Sequence, residues 1–184
     1  MSKEITITTR KQLDIYMNPQ RQRLLKCMDI KGEPMTPKQI SNILEISPSS
    51  VTFHLKKLEE LGLVELDHTE MIKGICAKYY KRIRARVNLK GGMQDDLKEE
   101  REVLVDYMMN ETWTGFKSYM HSLHLKEDSQ PVTADTRISI LYMTEEEARE
   151  LKDIIMKFEE KYNKPKEGAL PWEVAFLAYP KEGV

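Results

Sequence analysis

The sequence has few of the residues that carry covalent or metal chemistry. Two cysteines and four histidines occur in 184 residues. The chain has no Gly-rich phosphate loop, no paired set of metal ligands and no nucleophile and base combination. Cys27 falls in an apolar stripe, and we expect both it and Cys76 to be small buried hydrophobes. The sequence therefore predicts a protein that is not an enzyme and that uses no cofactor.

Long apolar runs are also missing. No stretch approaches the length of a membrane span or of a secretory signal core. The sequence accordingly predicts a soluble, cytoplasmic protein without a membrane partner.

Charge is distributed unevenly between the two halves of the chain. Residues 1–90 hold 17 Lys and Arg against 10 Asp and Glu, whereas residues 91–184 hold 12 against 20. The nearly neutral total hides a basic half, which suits a polyanion, and an acidic half, which phosphate would repel. Together with Gly91 and Gly92, this asymmetry predicts two domains, 1–90 and 91–184.

Two helical patterns joined by a short turn occupy residues 35–66. Thr36 is the predicted N-cap of the first helix, with Pro37 at its first position and Gln39 placed to close a capping box. Ser47 caps the second helix, and an apolar stripe at helical spacing marks its buried face: Val51, Leu55 and Leu58. This pattern predicts a helix-turn-helix.

The opposite face of the second helix carries small, hydroxylic and basic side chains. We predict that this face reads DNA bases, through Ser49, Ser50, Thr52, Phe53 and Lys56. Hydroxyl groups and a helix N-terminus suit phosphate, Lys suits phosphate or guanine, and an exposed Phe can meet a thymine methyl group. The alternative is a helix face that is simply solvated. This alternative does not explain Phe53 well, because an aromatic ring gains nothing from exposure to water. His54, near the core stripe, is expected to be packed and hydrogen-bonded.

Two strand-like stretches, residues 63–66 and 75–83, follow the second helix and predict a β-hairpin. A helix-turn-helix followed by a hairpin is a winged helix. The segment Ser47–Val64 resembles the recognition segment of ArsR-like winged-helix transcriptional regulators of prokaryotes, and Asn18–Met28 is similar to the first helix of that family. The Cys-x-Cys pair with which many of those regulators sense soft metals is absent here.

The stretch after the hairpin is the most basic in the chain. Strand alternation predicts that Arg82, Arg84 and Arg86 share one side, where they would contact phosphate without reading sequence. A strand edge protected by charge is the alternative. The full predicted set of DNA-backbone contacts is Arg21, Arg23, Ser47, Lys57, Lys73, Lys78, Arg82 and Arg84.

Residues 93–123 predict one long helix, or two consecutive helices, with more apolar surface than a small domain covers. In the resembling family, helices that flank the winged helix form the dimer, which implies a homodimer through this region. His121 and His124 are three residues apart and close enough to share a metal. However, Asn110 and Met108 stand where the family's other ligands are expected, so solvated or interface histidines are the preferred interpretation.

The C-terminal half ends with a predicted strand-helix-strand unit over residues 136–180. Thr144 and Glu147 form a capping box at the start of an amphipathic helix. Two strands do not make a stable sheet, so they are expected to pair within the chain or across a dimer. Tyr142, Trp172 and Phe176 are expected near the inner face of this unit, as plain core or as the wall of a site for an unidentified small apolar effector.

The sequence predicts an α+β protein: an N-terminal winged helix, a long dimerisation helix and a C-terminal strand-helix-strand unit. The predicted function is a dimeric, sequence-specific transcriptional regulator that binds double-stranded DNA at a palindromic operator. A winged helix used for protein–protein contacts is the alternative, and it predicts weak, salt-insensitive DNA binding.

Overall fold

The computed structural model describes residues 3–89, 97–124 and 134–181. The predicted boundary at Gly91 and Gly92 lies outside these residues, as do Lys90 and most of the predicted loop 125–135. The division into domains 1–90 and 91–184 therefore stays a prediction.

The described residues form six helices and four strands. In chain order these are β1 (Lys3–Thr6), α1 (Arg10–Met17), α2 (Pro19–Lys31), α3 (Pro37–Leu44), α4 (Pro48–Glu60), β2 (Val64–Ile72), β3 (Ile75–Arg82), β4 (Ala85–Asn88), α5 (Lys98–His124) and α6 (Glu145–Tyr162). No helix in these ranges is both long and apolar enough to cross a bilayer.

Helices α3 and α4 form the predicted helix-turn-helix. The predicted capping box closes at the start of α3, because the Gln39 amide donates to Thr36 Oγ1 at 3.2 Å and the Thr36 amide donates to Gln39 Oε1 at 2.7 Å. Glu45 ends α3 in the left-handed conformation, with φ of 56°. This single residue reverses the chain so that Ser47 can cap α4.

Strands β2 and β3 pair antiparallel as a hairpin. Lys73 and Gly74 both have positive φ at its tip, as the two-residue turns that match strand twist require. A pair of backbone hydrogen bonds between Met35 and Tyr80 ties the base of the hairpin to the entry of α3. The hairpin is therefore held against the helix-turn-helix as its wing, and the predicted winged helix is confirmed.

One core joins α1 to α4, the base of the wing and the start of α5. Its fully buried side chains include Leu24, Met28, Ile40, Val51, Leu55, Leu58 and Leu63. Strand β1 lies parallel to β4 in a small separate sheet, with Ile5 beside Val87. Leu97, just before α5, and Leu104 on α5 also belong to the core. The winged helix therefore has a complete core of its own.

Most of α5 beyond Leu104 is exposed. The predicted long helix is confirmed as one element of 27 residues. It leaves large apolar side chains on its surface: Val103, Val105, Met108, Trp113 and Tyr119. These side chains have no core to cover them within the described part of the chain.

The two cysteines differ in exposure. Cys27 is buried as predicted, and burial raises the pKa of its thiol. The prediction for Cys76 is wrong: it lies in β3, and its side chain is exposed because nothing packs over that end of the wing.

The C-terminal unit is only partly as predicted. Helix α6 and its capping box are confirmed, with the Glu147 amide donating to Thr144 Oγ1. The flanking segments 134–143 and 163–181 are not strands: across the described ranges neither segment has a strand partner. The predicted pairing of these segments within the chain is therefore wrong. The expected inner face does not form either, since Tyr142, Trp172 and Phe176 are all exposed.

Candidate nucleic-acid interface

Helix α4 has two contrasting faces. Val51, Leu55 and Leu58 are fully buried and fix the orientation of the helix on the core. The opposite face is open to solvent, and it carries Ser49, Phe53 and Lys56 as exposed residues, with Ser50, Thr52 and Lys57 half-buried. The structure thus brings together all five residues predicted to read bases.

Hydroxyl groups cluster at the N-terminus of α4. Ser47 Oγ accepts from the Ser50 amide at 3.1 Å and lies 3.0 Å from Ser49 Oγ. Thr52 Oγ1 donates to the Pro48 carbonyl at 2.8 Å, so its hydroxyl orientation is fixed and its lone pairs point outward. Serine hydroxyl groups, which can donate hydrogen bonds, therefore stand at the positive end of the helix, which favours phosphate.

Phe53 and Lys56 give this face an apolar and a cationic group. The Phe53 side chain is 55% exposed, and its ring meets the His54 ring edge-on at 5.4 Å between centroids. Lys56 has no ion-pair partner among the described residues. A ring that is held in place but uncovered can contact a thymine methyl group, and a free ammonium group can bind guanine or phosphate.

His54 is buried beneath this face, as predicted, but its expected hydrogen bond is not formed at Nδ1. That nitrogen has no partner within the part of the chain that the structure describes. Burial lowers the pKa of His54, and the nearby Arg21 guanidinium lowers it further. The imidazole is therefore neutral in the folded protein near pH 7.

The burial of His54 predicts a loss of stability in mild acid. Because the folded state holds the pKa of His54 below its ordinary value of about 6.5, the unfolded chain binds more protons as the pH falls through that value. The free energy of unfolding should then decrease by at most about 1.4 kcal/mol per pH unit from this residue. Urea unfolding between pH 7.5 and pH 5 measures the slope.

A matched pair of variants isolates the contribution of His54. His54→Gln should flatten the pH dependence below pH 6.5, whereas His121→Gln, at an exposed position on α5, should leave it unchanged. Equal slopes for the two variants would contradict the role given to His54.

Arg21 does not belong to the interface, which corrects the sequence prediction. Its guanidinium is buried and donates to the carbonyl oxygens of Asp14 and Ile15, the latter through Nε. Burial lowers the pKa of Arg21, while Asp14 and Glu60 act in the opposite direction. Arg21 therefore ties α2 to the C-terminal turn of α1 and is not exposed to solvent.

Arg82 and Arg84 are likewise held by the protein. Arg82 donates to Asp29 Oδ2 at 3.3 Å and to the Leu63 carbonyl at 2.9 Å, and its side chain is 14% exposed. Arg84 lies 3.4 Å from Asp29 Oδ1. The predicted side-by-side alternation fails here because β3 ends at Arg82 and β4 begins only at Ala85. Both guanidinium groups neutralise Asp29 at the base of the wing, so neither is a free phosphate ligand.

The remaining predicted backbone contacts lie on the surface. Arg23, Lys73 and Lys78 are exposed. Lys57 instead forms an ion pair with Glu60, at 2.6 Å, and this hydrogen bond lowers the pKa of Glu60. Among the predicted backbone contacts, the cations that are exposed and not held by a carboxylate therefore lie at the start of α2 and on the wing.

The wing contains a polar cluster that sequence reasoning missed. His68 stacks on Tyr79 at 4.4 Å, and His68 Nδ1 lies 2.7 Å from Asp67 Oδ2. Lys81 binds both Asp67 and Glu65 at 3.1 Å. Hydrogen bonds from His68 and Lys81 lower the pKa of Asp67. These residues come together only through the register of the hairpin, which has a bulge between Leu66 and His68. The sequence alone did not predict that register.

The two histidines whose spacing could suit a shared metal, His121 and His124, both lie in α5. His121 is exposed on α5, and the side chain of His124 lies outside what the structure describes. Within the described ranges no three His, Cys, Asp or Glu side chains are grouped to hold a metal ion.

One family model matches the part of the chain that contains α4. Residues 16–67 match the model of a family described as a helix-turn-helix domain. The chain contains a helix-turn-helix domain. The matched residues run from the end of α1 through α2, α3 and α4 into β2, so the exposed face of α4 belongs to the matched helix-turn-helix domain. No protein of curated function matches the chain.

Several solved structures share parts of the fold. A possible transcriptional regulator from Methanosarcina mazei Go1 is 14% identical, covers 62% of this chain and 82% of its own, and has a TM-score of 0.35. The heme sensor protein PefR from Streptococcus agalactiae is 16% identical, with 83% and 80% covered and a TM-score of 0.32. ZitR from Lactococcus lactis is 17% identical, with 84% and 83% covered and a TM-score of 0.28.

Proposed function

We propose that this protein is a sequence-specific transcriptional regulator that binds double-stranded DNA through α4. The observation that carries the proposal is the exposed face of α4, where Ser49, Phe53 and Lys56 stand opposite a fully buried stripe. An α-helix fits the major groove, and each of these side chains matches a group that bases or phosphates present there.

The regulator acts as a homodimer on a palindromic operator. One recognition helix reads too few base pairs to select a site in a genome, and a two-fold dimer doubles the readout. The exposed apolar side chains of α5, among them Val105 and Trp113, supply a surface for pairing. The two half-sites should then be separated by about one helical turn of DNA, roughly 34 Å, or a multiple of it.

Phosphate contacts come from the cations that the protein does not neutralise itself. Arg23 on α2 and Lys73 and Lys78 on the wing flank the α4 face, together with the hydroxyl of Ser47. Arg82 and Arg84 are left out because Asp29 already holds them. These contacts position the protein on DNA but do not read its sequence.

More specifically, the proposed regulator is ArsR-like and cytoplasmic. The order and spacing of the residues in the recognition segment Ser47–Val64 support the ArsR-like assignment. The proposal also includes the binding of an unidentified small apolar effector. The three aromatic residues expected to line the effector site, Tyr142, Trp172 and Phe176, are exposed in the single chain. An effector pocket built on them therefore requires a second copy to enclose it.

In vitro selection from random duplexes tests the proposed function. We expect a palindromic consensus, because a two-fold dimer presents two copies of α4. Binding to that consensus should weaken steeply with salt, by about 0.9 in log K per log unit of salt for each phosphate contact. Recovery of no consensus, with weak and salt-insensitive binding, would favour the alternative of a protein–protein interaction module.

A lysine pair provides the control for the salt measurement. Lys78→Ala should reduce the salt slope by about two, one for each chain of the dimer, and weaken operator and random DNA alike. Lys152→Ala removes the same charge from exposed α6 and should leave the slope unchanged. A Lys78 effect confined to one base position would contradict its backbone role.

A further inference from the structure

The C-terminal arm, defined here as residues 134–181, has no core in its own chain. None of its residues is buried. Ile138 and Tyr142 are 96% and 97% exposed, and Phe158 on α6 is 64% exposed. Side chains of this size gain about 1.5 to 3 kcal/mol each on burial, so an arm left in water would be unfavourable.

The accessible surface of the chain is larger than that of a compact monomer, and the excess indicates how much surface a partner could cover. The chain of 21.6 kDa exposes 14382 Å², whereas a compact monomer of this mass exposes about 9,200 Å². The excess of about 5,000 Å² per chain is more than an obligate homodimer interface needs, since such interfaces bury roughly 2,000 to 5,000 Å² from both chains together.

The arm has the pattern of a sheet with a covering helix. In the segment 136–142 Ile138, Ile140 and Tyr142 alternate with Arg137, Ser139 and Leu141. In 172–179 all residues except Glu173 are apolar, as in a strand that is buried on both faces. Helix α6 presents one apolar stripe at helical spacing: Leu151, Ile155, Phe158 and Tyr162. The apolar side chains of the two segments could pack against the apolar stripe of α6. Within the described residues of the single chain, however, the two segments do not pair.

Lengths and charges favour a second arm as the partner. The two segments have seven and eight residues and so match each other in length, which favours their pairing in a sheet. Strands β1 and β4 have only four residues, and β2 and β3, with nine and eight, already pair with each other. Residues 138–144 and 168–180 include a single charged side chain, Glu173. That carboxylate is already bound by Lys26 Nζ at 2.8 Å. A neutral apolar surface of this kind fits neither a polyanion nor lipid headgroups.

Polar contacts hold the arm against its own winged helix and leave its apolar side chains outward. Glu173 accepts from Thr112 Oγ1 on α5 at 3.0 Å as well as from Lys26 on α2. Arg86 Nη1 lies 3.5 Å from Met156 Sδ on α6. Because these anchors are the same in every chain, two chains can meet through identical arms about a two-fold axis.

We propose that the arms of two chains combine into one intermolecular sheet. Residues 136–142 and 172–179 of both copies supply four strands, enough for a stable sheet, and the two α6 helices cover it with their apolar stripes. This inference rests on the dimer of the proposed function and adds a second interface, separate from the exposed surface of α5.

Hydrogen exchange on the full-length protein tests the sheet. Amides in 136–142 and 172–179 should exchange at least about 100-fold more slowly at micromolar concentration than in unstructured chain, and this protection should disappear on dilution below the dimer dissociation constant. Protection that survives in the monomer would overturn the proposal in favour of pairing within the chain. Absence of protection in a sedimenting dimer would overturn it while leaving the proposed DNA-binding dimer intact.

A variant pair on α6 tests the covering helix. Phe158→Ser should raise the dimer dissociation constant by about tenfold or more, because it removes a large apolar side chain from the stripe. The neighbouring Lys157→Ser should have little effect, and circular dichroism checks that α6 stays helical in both variants. Equal dissociation constants would overturn the role of α6. Unchanged DNA selection by a monomer would instead contradict the proposed dimer itself.

Discussion

Leu55→Ala is expected to lower the free energy of unfolding by about 2 to 5 kcal/mol, the range for a buried Leu that leaves a cavity. Leu55 is fully buried at the centre of the stripe that α4 presents to the core. A small domain has a total stability of only about 5 to 15 kcal/mol, so this variant should melt at a much lower temperature. Urea unfolding followed by circular dichroism measures the change.

Ile43→Ala on α3 is the matched control for Leu55→Ala. Ile43 is 55% exposed, and truncating it should change the free energy of unfolding by no more than about 0.5 kcal/mol. If the two variants were equally stable, α4 would not be oriented as described, and the face assigned to DNA would be wrong.

The second large effect is expected on operator binding. Ser49→Ala combined with Lys56→Ala should weaken binding to the selected operator by about 1 to 3 kcal/mol, or roughly 5- to 150-fold. Both side chains lie opposite the buried stripe, so the melting temperature should stay nearly unchanged. Fluorescence anisotropy with operator and random duplexes at one fixed salt concentration measures the loss and its specificity.

The control for this variant removes the same chemical groups elsewhere. Ser118→Ala on α5 combined with Lys152→Ala on α6 changes exposed residues away from α4, and it should bind the operator as the parent protein does. Parental affinity in the Ser49 and Lys56 variant would reject the assigned recognition face.

Local signals in the sequence predicted the winged helix. The capping residues Thr36 and Ser47 fix where α3 and α4 begin, because each satisfies backbone amides within its own first turn. The apolar spacing of Val51, Leu55 and Leu58 fixes which face is buried, since helical periodicity depends only on neighbours along the chain. The exposed face of α4 follows by elimination, and for this reason the sequence alone located the candidate interface.

Tertiary contacts decided which cations are free. Sequence treated Arg21 and Arg82 as surface charges, but Arg82 meets Asp29, which lies 53 residues earlier in the chain, and Arg21 meets carbonyl groups at the end of α1. No local pattern reports such partners. A guanidinium has five donors and is readily drawn to carbonyl and carboxylate groups that the fold brings near it.

The C-terminal arm shows the same division between local and distant information. Its sequence determined α6, through the capping box of Thr144 and an apolar stripe that includes Phe158. It also determined the strand-like pattern on either side of α6. Whether such segments become strands depends on a neighbouring strand that donates and accepts their backbone hydrogen bonds, and within the described chain the fold supplies none. Helices satisfy their own backbone and can be found from sequence, whereas strands exist only with a partner, which tertiary structure alone provides or withholds.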